Sequence, residues 1–153
     1  MEKILDRTVR DIYLPREPLH PRQFAYQEGK STTTAVKSLV MDIEKTLKYK
    51  QSDIGISFDI QGAFDNVSHE VIRKALVKKK VPDVLTNWIC IMLSKRSLQY
   101  EFGGETIYFK PIKGCPLGGS LSPLLWTLVV DTLLHKINDL HLRTNGLQMI
   151  YLR

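Results

Sequence analysis

The chain is predicted to adopt an α+β fold, and three observations carry that prediction. Apolar and polar residues alternate strictly from Ile54 to Ile60. Repeats of helical spacing stand on either side of that run. A Gly103-Gly104 pair separates two further alternating runs. Strands and helices in this order do not form a regular βαβ series, which points to α+β.

In order, residues 1–13 form a short helix with Ile4, Leu5 and Val9 on or near one face. Pro15, Pro18 and Pro21 then hold the chain extended, because proline disfavours helix at the residue before it. Gly29-Lys30-Ser31-Thr32 turns into a helix that Ser31 or Thr32 can cap, with Ala35, Val36, Leu39, Val40, Ile43 and Leu47 at helical spacing. The strand at 54–60 has Ile54, Ile56, Phe58 and Ile60 on one side and Asp59 on the other, near its end. Ser68 caps a helix carrying Val71, Ile72, Ala75 and Leu76 and ending in Lys78-Lys79-Lys80, read as a solvated helix end. Pro82 opens another, with Val84, Leu85, Trp88, Ile89 and Met92 along one side; Trp88 and Met92 read as core. Tyr100 and Phe102, then Ile107 and Phe109, flank the glycine pair as a hairpin. A glycine-rich loop leads into a long apolar helix from about Ser120 to Asn138, and a last strand is predicted at Leu147 to Tyr151.

The 153 residues suit one domain with a sizeable core. Lys+Arg 22 against Asp+Glu 16 gives a net charge of +6, which fits an anionic partner without requiring one. No apolar run approaches the roughly 20 residues of a membrane span. The start has no apolar core of signal-peptide length, so an intracellular setting, nucleus or cytoplasm, is expected. Cys90 and Cys115 are too few for a disulfide scaffold or a four-ligand zinc site.

Two segments can carry chemistry. In Phe58-Asp59-Ile60-Gln61-Gly62-Ala63-Phe64-Asp65 a carboxylate near a strand end precedes a turn of small residues. Magnesium prefers hard oxygen ligands, often one or two carboxylates together with substrate phosphates. Gly62 and Ala63 let backbone N–H groups approach such phosphates, and Phe64 can floor a nucleotide pocket. The same octapeptide also reads as a plain strand–turn–helix junction capped by Asp65 or Ser68. The second segment, Gly114-Cys115-Pro116-Leu117-Gly118-Gly119-Ser120-Leu121-Ser122-Pro123, offers free N–H groups at a helix start, or is simply a loop before a capped helix. It is neither a Walker loop nor a G-x-S-x-G elbow. His69-Glu70 lacks the second histidine of a zinc helix, and Cys115 reads as a small loop residue rather than a nucleophile.

Taken together and in order, these segments resemble the reverse transcriptase of jockey-like non-LTR retrotransposons. The resemblance runs from Met1-Glu2-Lys3-Ile4-Leu5-Asp6-Arg7, through Pro18-Leu19-His20-Pro21 and Gln23-Phe24-Ala25-Tyr26-Gln27, to Gly29-Lys30-Ser31-Thr32. It continues with Phe58 to Asp65 and Gly114 to Trp126, the counterparts of the family's first and second boxes. It implies a partial right-hand polymerase, with fingers at 1–50, palm at 51–153 and the thumb absent. Asp59 would be the catalytic, metal-binding aspartate. Ile60, Gln61, Gly62 and Ala63 would face metal and triphosphate, and Phe64 would gate against a ribose 2′-OH. Lys30 would be a basic contact near nucleotide or template, and Gly118 and Gly119 would shape the floor under the base pair. Leu117 stands where the family usually has glutamine. Magnesium, an RNA or DNA template, a primer and deoxynucleotides are the implied cofactor and partners.

The family's Tyr-Ala-Asp-Asp box is met here only by Tyr151, followed by Leu152-Arg153. The expectation is therefore a truncated domain, inactive alone, with Asp59 accessible beside the Gly114–Gly119 loop and Tyr151 on a strand next to the one bearing Asp59. The alternative is a non-enzymatic nucleic-acid-binding remnant that uses Lys30, Lys78, Lys79, Lys80 and scattered arginines on phosphates.

Overall fold

Two helix starts, at Ser31 and Ser68, are set by short polar side chains. Ser31 Oγ accepts from Thr34 N at 3.1 Å while Thr34 Oγ1 accepts from Ser31 N at 2.8 Å, a reciprocal box that opens a 17-residue helix. The computed structural model describes residues 1–50, 54–140, 143–145 and 149–152. The described helices are α1 (Glu2–Thr8), α2 (Thr32–Lys48), α3 (Ala63–Asn66), α4 (His69–Lys78), α5 (Asp83–Lys95) and α6 (Ser122–Asp139). A single π-turn, Val9–Tyr13, continues α1, with Leu14 N bonded to Val9 O at 3.0 Å. The strands are β1 (Ile54–Ser57), β2 (Leu98–Phe102), β3 (Glu105–Phe109), β4 (Arg143–Asn145) and β5 (Met149–Leu152).

The chain divides into two compact units, Met1–Pro18 with Gln61–Trp126, and Leu19–Ile60 with Thr127–Arg153. In the first unit, α4 packs on α5, and the largest fully buried apolar side chains are Val9, Ile72, Leu76, Ile89, Leu93, Leu121, Leu124 and Leu125. Each such aliphatic contributes about 1.5–3 kcal/mol through its burial. Leu5 and Val9 turn inward as a pair four residues apart, whereas Ile4, expected beside them, lies exposed one residue off that stripe. The buried face of α5 is Thr86, Ile89 and Leu93; Val84 and Trp88, expected on it, are exposed. Val84 sits in the first turn, two residues before Thr86, and Trp88 is one step around the cylinder from Ile89. Gly103 and Gly104 both take positive φ and join β2 to β3 in the predicted hairpin, with Phe102 opposite Glu105. The hairpin exposes both faces along its whole length.

A further correction concerns Lys78-Lys79-Lys80. Lys78 is exposed as expected, but Lys79 is only 4% exposed and its Nζ donates to Pro18 O at 2.8 Å. Lys80 is ion-paired with Glu17, which holds the Glu17 carboxyl below its usual range through that hydrogen bond. Two of the three lysines thus tie the helix end to the proline segment.

In the second unit, β5 pairs antiparallel with both β1 and β4 in the order β1-β5-β4. Tyr151 lies opposite Gly55, so the strand expected beside the Asp59 segment is present. The ends of the predicted strand at Leu147 and Gln148 fall outside the described residues, and β4 was not foreseen. Ile56 and Phe58 are 37% and 49% exposed. Alternation marks which residues share a side of a strand, not whether anything covers that side. The helical period of α2 shows the same distinction: Ala35 and Thr46 are buried, while Val36, Val40, Ile43 and Leu47 are exposed.

The core of the second unit is notably polar. The N–H of His20 donates to Asp131 Oδ1 at 2.5 Å, joining the proline segment to the middle of α6. His135 Nε2 stands 3.7 Å from the same oxygen, and its ring meets the His20 ring edge-on at 5.1 Å. Arg22 N–H donates to His20 Nδ1 at 3.3 Å, which requires that nitrogen unprotonated and His20 neutral. Burial, then His135, pushes the His20 pKa down; Asp131 opposes them.

Two outcomes follow. Ser31→Ala should lower stability by about 1 kcal/mol in denaturant unfolding, through loss of the cap. For His20, the folded pKa lies below the unfolded one, so the unfolded chain takes up the proton first. Unfolding should therefore become easier as pH falls below about 6.5. His20→Gln should flatten that part of a stability–pH profile, and an unchanged slope would remove His20 as its cause.

Candidate functional site

The loop before α6 is pinned at two successive peptides. Gly114 N donates to Val67 O and Cys115 N donates to Phe64 O, both at 2.7 Å. Gly114 O accepts from Arg96 Nη2 at 2.9 Å and from His69 Nε2 at 3.1 Å, so His69 carries its proton on Nε2. The same Arg96 nitrogen donates to Lys113 O at 2.9 Å, and Lys113 Nζ reaches Asn66 Oδ1 at 2.8 Å. The second segment is in this way fastened to the 61–67 turn that follows Asp59. Gly114 is required there: its φ is +81°, and a Cβ would come within 2.5 Å of Asp65 O and 2.9 Å of Phe64 O.

The turn itself is shaped by Gly62, whose φ of +61° starts α3. Asn66 N bonds Gly62 O at 2.7 Å and Asn66 Nδ2 donates to Gln61 O at 3.2 Å, closing the turn on itself. Phe64 is half-buried, its ring 6.0 Å from that of Trp126 and tilted by 45°. Beyond the pinned peptides the loop is open. Leu117 is 72% exposed, Gly118 has φ +78° and is exposed, and Gly119 N closes a turn onto Pro116 O at 3.1 Å. Ser122 Oγ donates to Pro116 O at 2.7 Å and ties that turn to the start of α6. Gln61, Gly62, Ala63, Phe64, Leu117, Gly118 and Gly119 therefore belong to one unit.

Asp59, Ile60 and Lys30 belong to the other unit. Asp59 is exposed two residues past the end of β1. Lys30 Nζ donates to Pro21 O at 2.8 Å and to Gln23 O at 2.7 Å, and sits 5.2 Å from the centre of the Phe24 ring. Burial lowers its pKa. In this arrangement its ammonium closes the proline segment rather than pointing to a ligand.

Magnesium bound at Asp59 would take one or two carboxylates with phosphate oxygens. Among the described residues no three His, Cys, Asp or Glu come together. The donor set fits one ligand position of a divalent-metal centre and not the full set that two ions need. Burial pushes the Cys115 thiol up to about 11, with Arg96 opposing, so the thiol is not a nucleophile near neutral pH. No described helix is long and apolar enough to cross a membrane. Sequence reasoning did not find Arg96 or the Lys113–Asn66 contact. Their only signal was a basic residue at the end of a helix and another at the start of the glycine loop.

Comparison with known proteins adds a family. A model described as "Reverse transcriptase (RNA-dependent DNA polymerase)" matches residues 1–151. The Retrovirus-related Pol polyprotein from type-1 retrotransposable element R1 of Bradysia coprophila is 31% identical over 144 residues, covering 88% of this chain and 12% of that protein. The corresponding polyprotein of element R2 of Nasonia vitripennis is 31% identical over 119 residues, 77% of this chain and 11% of that protein. The Probable RNA-directed DNA polymerase from transposon BS of Drosophila melanogaster is 28% identical over 129 residues, 83% of this chain and 14% of that protein. The chain thus spans only a small part of each of these relatives.

Gly114→Ala should destabilise the chain by about 2 kcal/mol or more, because a strained φ adds to a clash with two backbone carbonyls. Gly62→Ala should lose only about 1 kcal/mol, since the atom it meets is the movable Asn66 amide. Denaturant unfolding of both variants checks the order, and a Gly114→Ala chain as stable as wild type would contradict the pinned geometry.

Proposed function

Because the chain belongs to the reverse transcriptase (RNA-dependent DNA polymerase) family, we propose that it supplies the nucleotide-facing part of a non-LTR retrotransposon polymerase. Residues 1–50 are then part of the fingers and residues 51–153 part of the palm of a right-handed polymerase. The observation that supports this reading is the stitching of the 61–67 turn to the Gly114–Cys115 peptide. It sets the residues after the first box against the start of the second, as a shared nucleotide pocket requires.

In this reading Asp59 is a magnesium ligand, and the backbone of Ile60, Gln61, Gly62 and Ala63 faces the triphosphate. Phe64, steadied by Trp126, is the gate against a 2′-OH, and Leu117, Gly118 and Gly119 form the floor under the base pair. Lys30 contacts nucleotide or template through the third N–H of its ammonium, the other two being held by the Pro21 and Gln23 carbonyls. Template, primer and deoxynucleotides are the partners. The reaction is attack of a primer 3′-OH on a nucleotide α-phosphate. Two metals at that centre need carboxylates from more than one strand. Asp59 is one of them, so the 153-residue chain is inactive as a polymerase by itself. The rival, a non-enzymatic nucleic-acid-binding remnant, is less well supported because Lys30 and Lys79 are engaged on backbone carbonyls.

Primer extension on an RNA template with magnesium tests the reading. The 153-residue chain should not extend the primer. A chain continued after Tyr151 with Ala-Asp-Asp and a relative's downstream palm and thumb should do so. In that longer chain Asp59→Ala should abolish incorporation. Leu117→Gln should raise it by no more than about tenfold, since one regained hydrogen bond contributes about 0.5–1.5 kcal/mol. Robust extension by the 153-residue chain would overturn the proposed inactivity, and undiminished extension by the longer Asp59→Ala chain would overturn the role given to Asp59.

A further inference from the structure

We infer that Arg96 is a positioning residue of this site, holding the Gly114–Gly119 loop against the Phe64–Val67 turn from behind. The two hydrogens of its Nη2 amino group serve the carbonyls of Lys113 and Gly114, both at 2.9 Å. Those carbonyls stand at the start of the loop that leads to Gly118. Consecutive carbonyls point in different directions in extended chain, so one donor group reaches both only if the chain turns there, and the φ of +81° at Gly114 supplies that turn. His69 adds a second donor to Gly114 O.

Arg96 also stands at the end of α5, whose last turn it leaves with extended backbone, φ −66° and ψ 146°. Its position is therefore set by a helix whose Ile89 and Leu93 are fully buried. Its Nε is buried with no hydrogen-bond partner among the described residues, so the hydrogen bonds described for the guanidinium are those of Nη2. At the same two peptides, Gly114 N and Cys115 N hold the carbonyls of Val67 and Phe64. The Gly114–Cys115 peptide thus couples the end of α5 to the Phe64 backbone. Arg96 touches none of Phe64, Gly118 or Gly119 through the contacts described, and acts on them only by fixing that peptide. The consequence for nucleotide binding rests on the function proposed above; the holding of the loop does not.

Amide hydrogen exchange and nucleotide titration of the 153-residue chain separate the two. In R96Q the amides of Gly114 and Cys115 should exchange at least about tenfold faster, the scale of a lost hydrogen bond to a charged group. Amides within α4 and α5 should keep their wild-type rates. R96K, which returns the charge and donors, should recover part of the protection. Magnesium–dTTP affinity should fall about tenfold in R96Q, while affinity for an RNA–DNA duplex stays within about twofold. Unchanged exchange at Gly114 and Cys115 would overturn the inference. So would equally faster exchange throughout α4 and α5, which would make Arg96 a general stabiliser. Faster exchange confined to the loop in a chain whose wild type binds no magnesium–dTTP would uphold the holding of the loop and overturn its reading as a nucleotide floor.

Discussion

The peptide between Gly114 and Cys115 is the constraint on which the site depends. Its N–H, from Cys115, its Gly114 carbonyl and the preceding Gly114 N–H are all bonded to other segments, namely the turn at Phe64–Val67, the start of α4 and the end of α5. A peptide so fully engaged cannot shift without breaking several bonds at once, each leaving a partly buried polar group unpaired. Gly114 makes this possible, since a side chain there would strike the Asp65 and Phe64 carbonyls. The stretch beyond it, from Pro116 to Ser120, can then be a short, largely exposed loop with little packing of its own.

The second unit is organised around a buried carboxylate instead. Asp131 has no exposed surface and receives the N–H of His20, so a carboxylate in the middle of α6 organises the segment that carries Leu19 to Lys30. Lys30 works from the other end of that segment, gathering the Pro21 and Gln23 carbonyls. Proline-rich backbone makes few bonds of its own, because each proline lacks an N–H donor. Side chains brought in from elsewhere in the fold satisfy the acceptors that remain.

Much of this was legible in the residues. The caps at Ser31 and Ser68, the hairpin at Gly103-Gly104 and the long helix after the glycine loop all formed where local chemistry placed them. These features depend on neighbours within a few positions. Which apolar residue faces inward was read less well. Ile4, Val84 and Trp88 lie outside, and Thr46, Gln23, His20 and Lys79 lie inside, because burial is decided by segments far away in sequence. In the candidate site, the glycines and Phe64 were visible as motifs. Arg96 was not, since its partners are backbone carbonyls 17 and 18 positions away and carbonyls leave no mark in a sequence.

The internal use of lysines changes what the formal charge of +6 means. Lys79 is buried on a carbonyl, Lys30 is shared by two, and Lys80 is paired with Glu17. Lys79 and Lys30 contribute to the total with their ammoniums held on backbone carbonyls, whereas Lys80 stays 78% exposed in a weak surface pair. The steepness with which salt weakens binding to nucleic acid counts phosphates actually neutralised, at about 0.9 per contact on duplex DNA. The count that matters for this chain is therefore smaller than its composition suggests, and it must come from cations such as Lys78 that the fold leaves facing water.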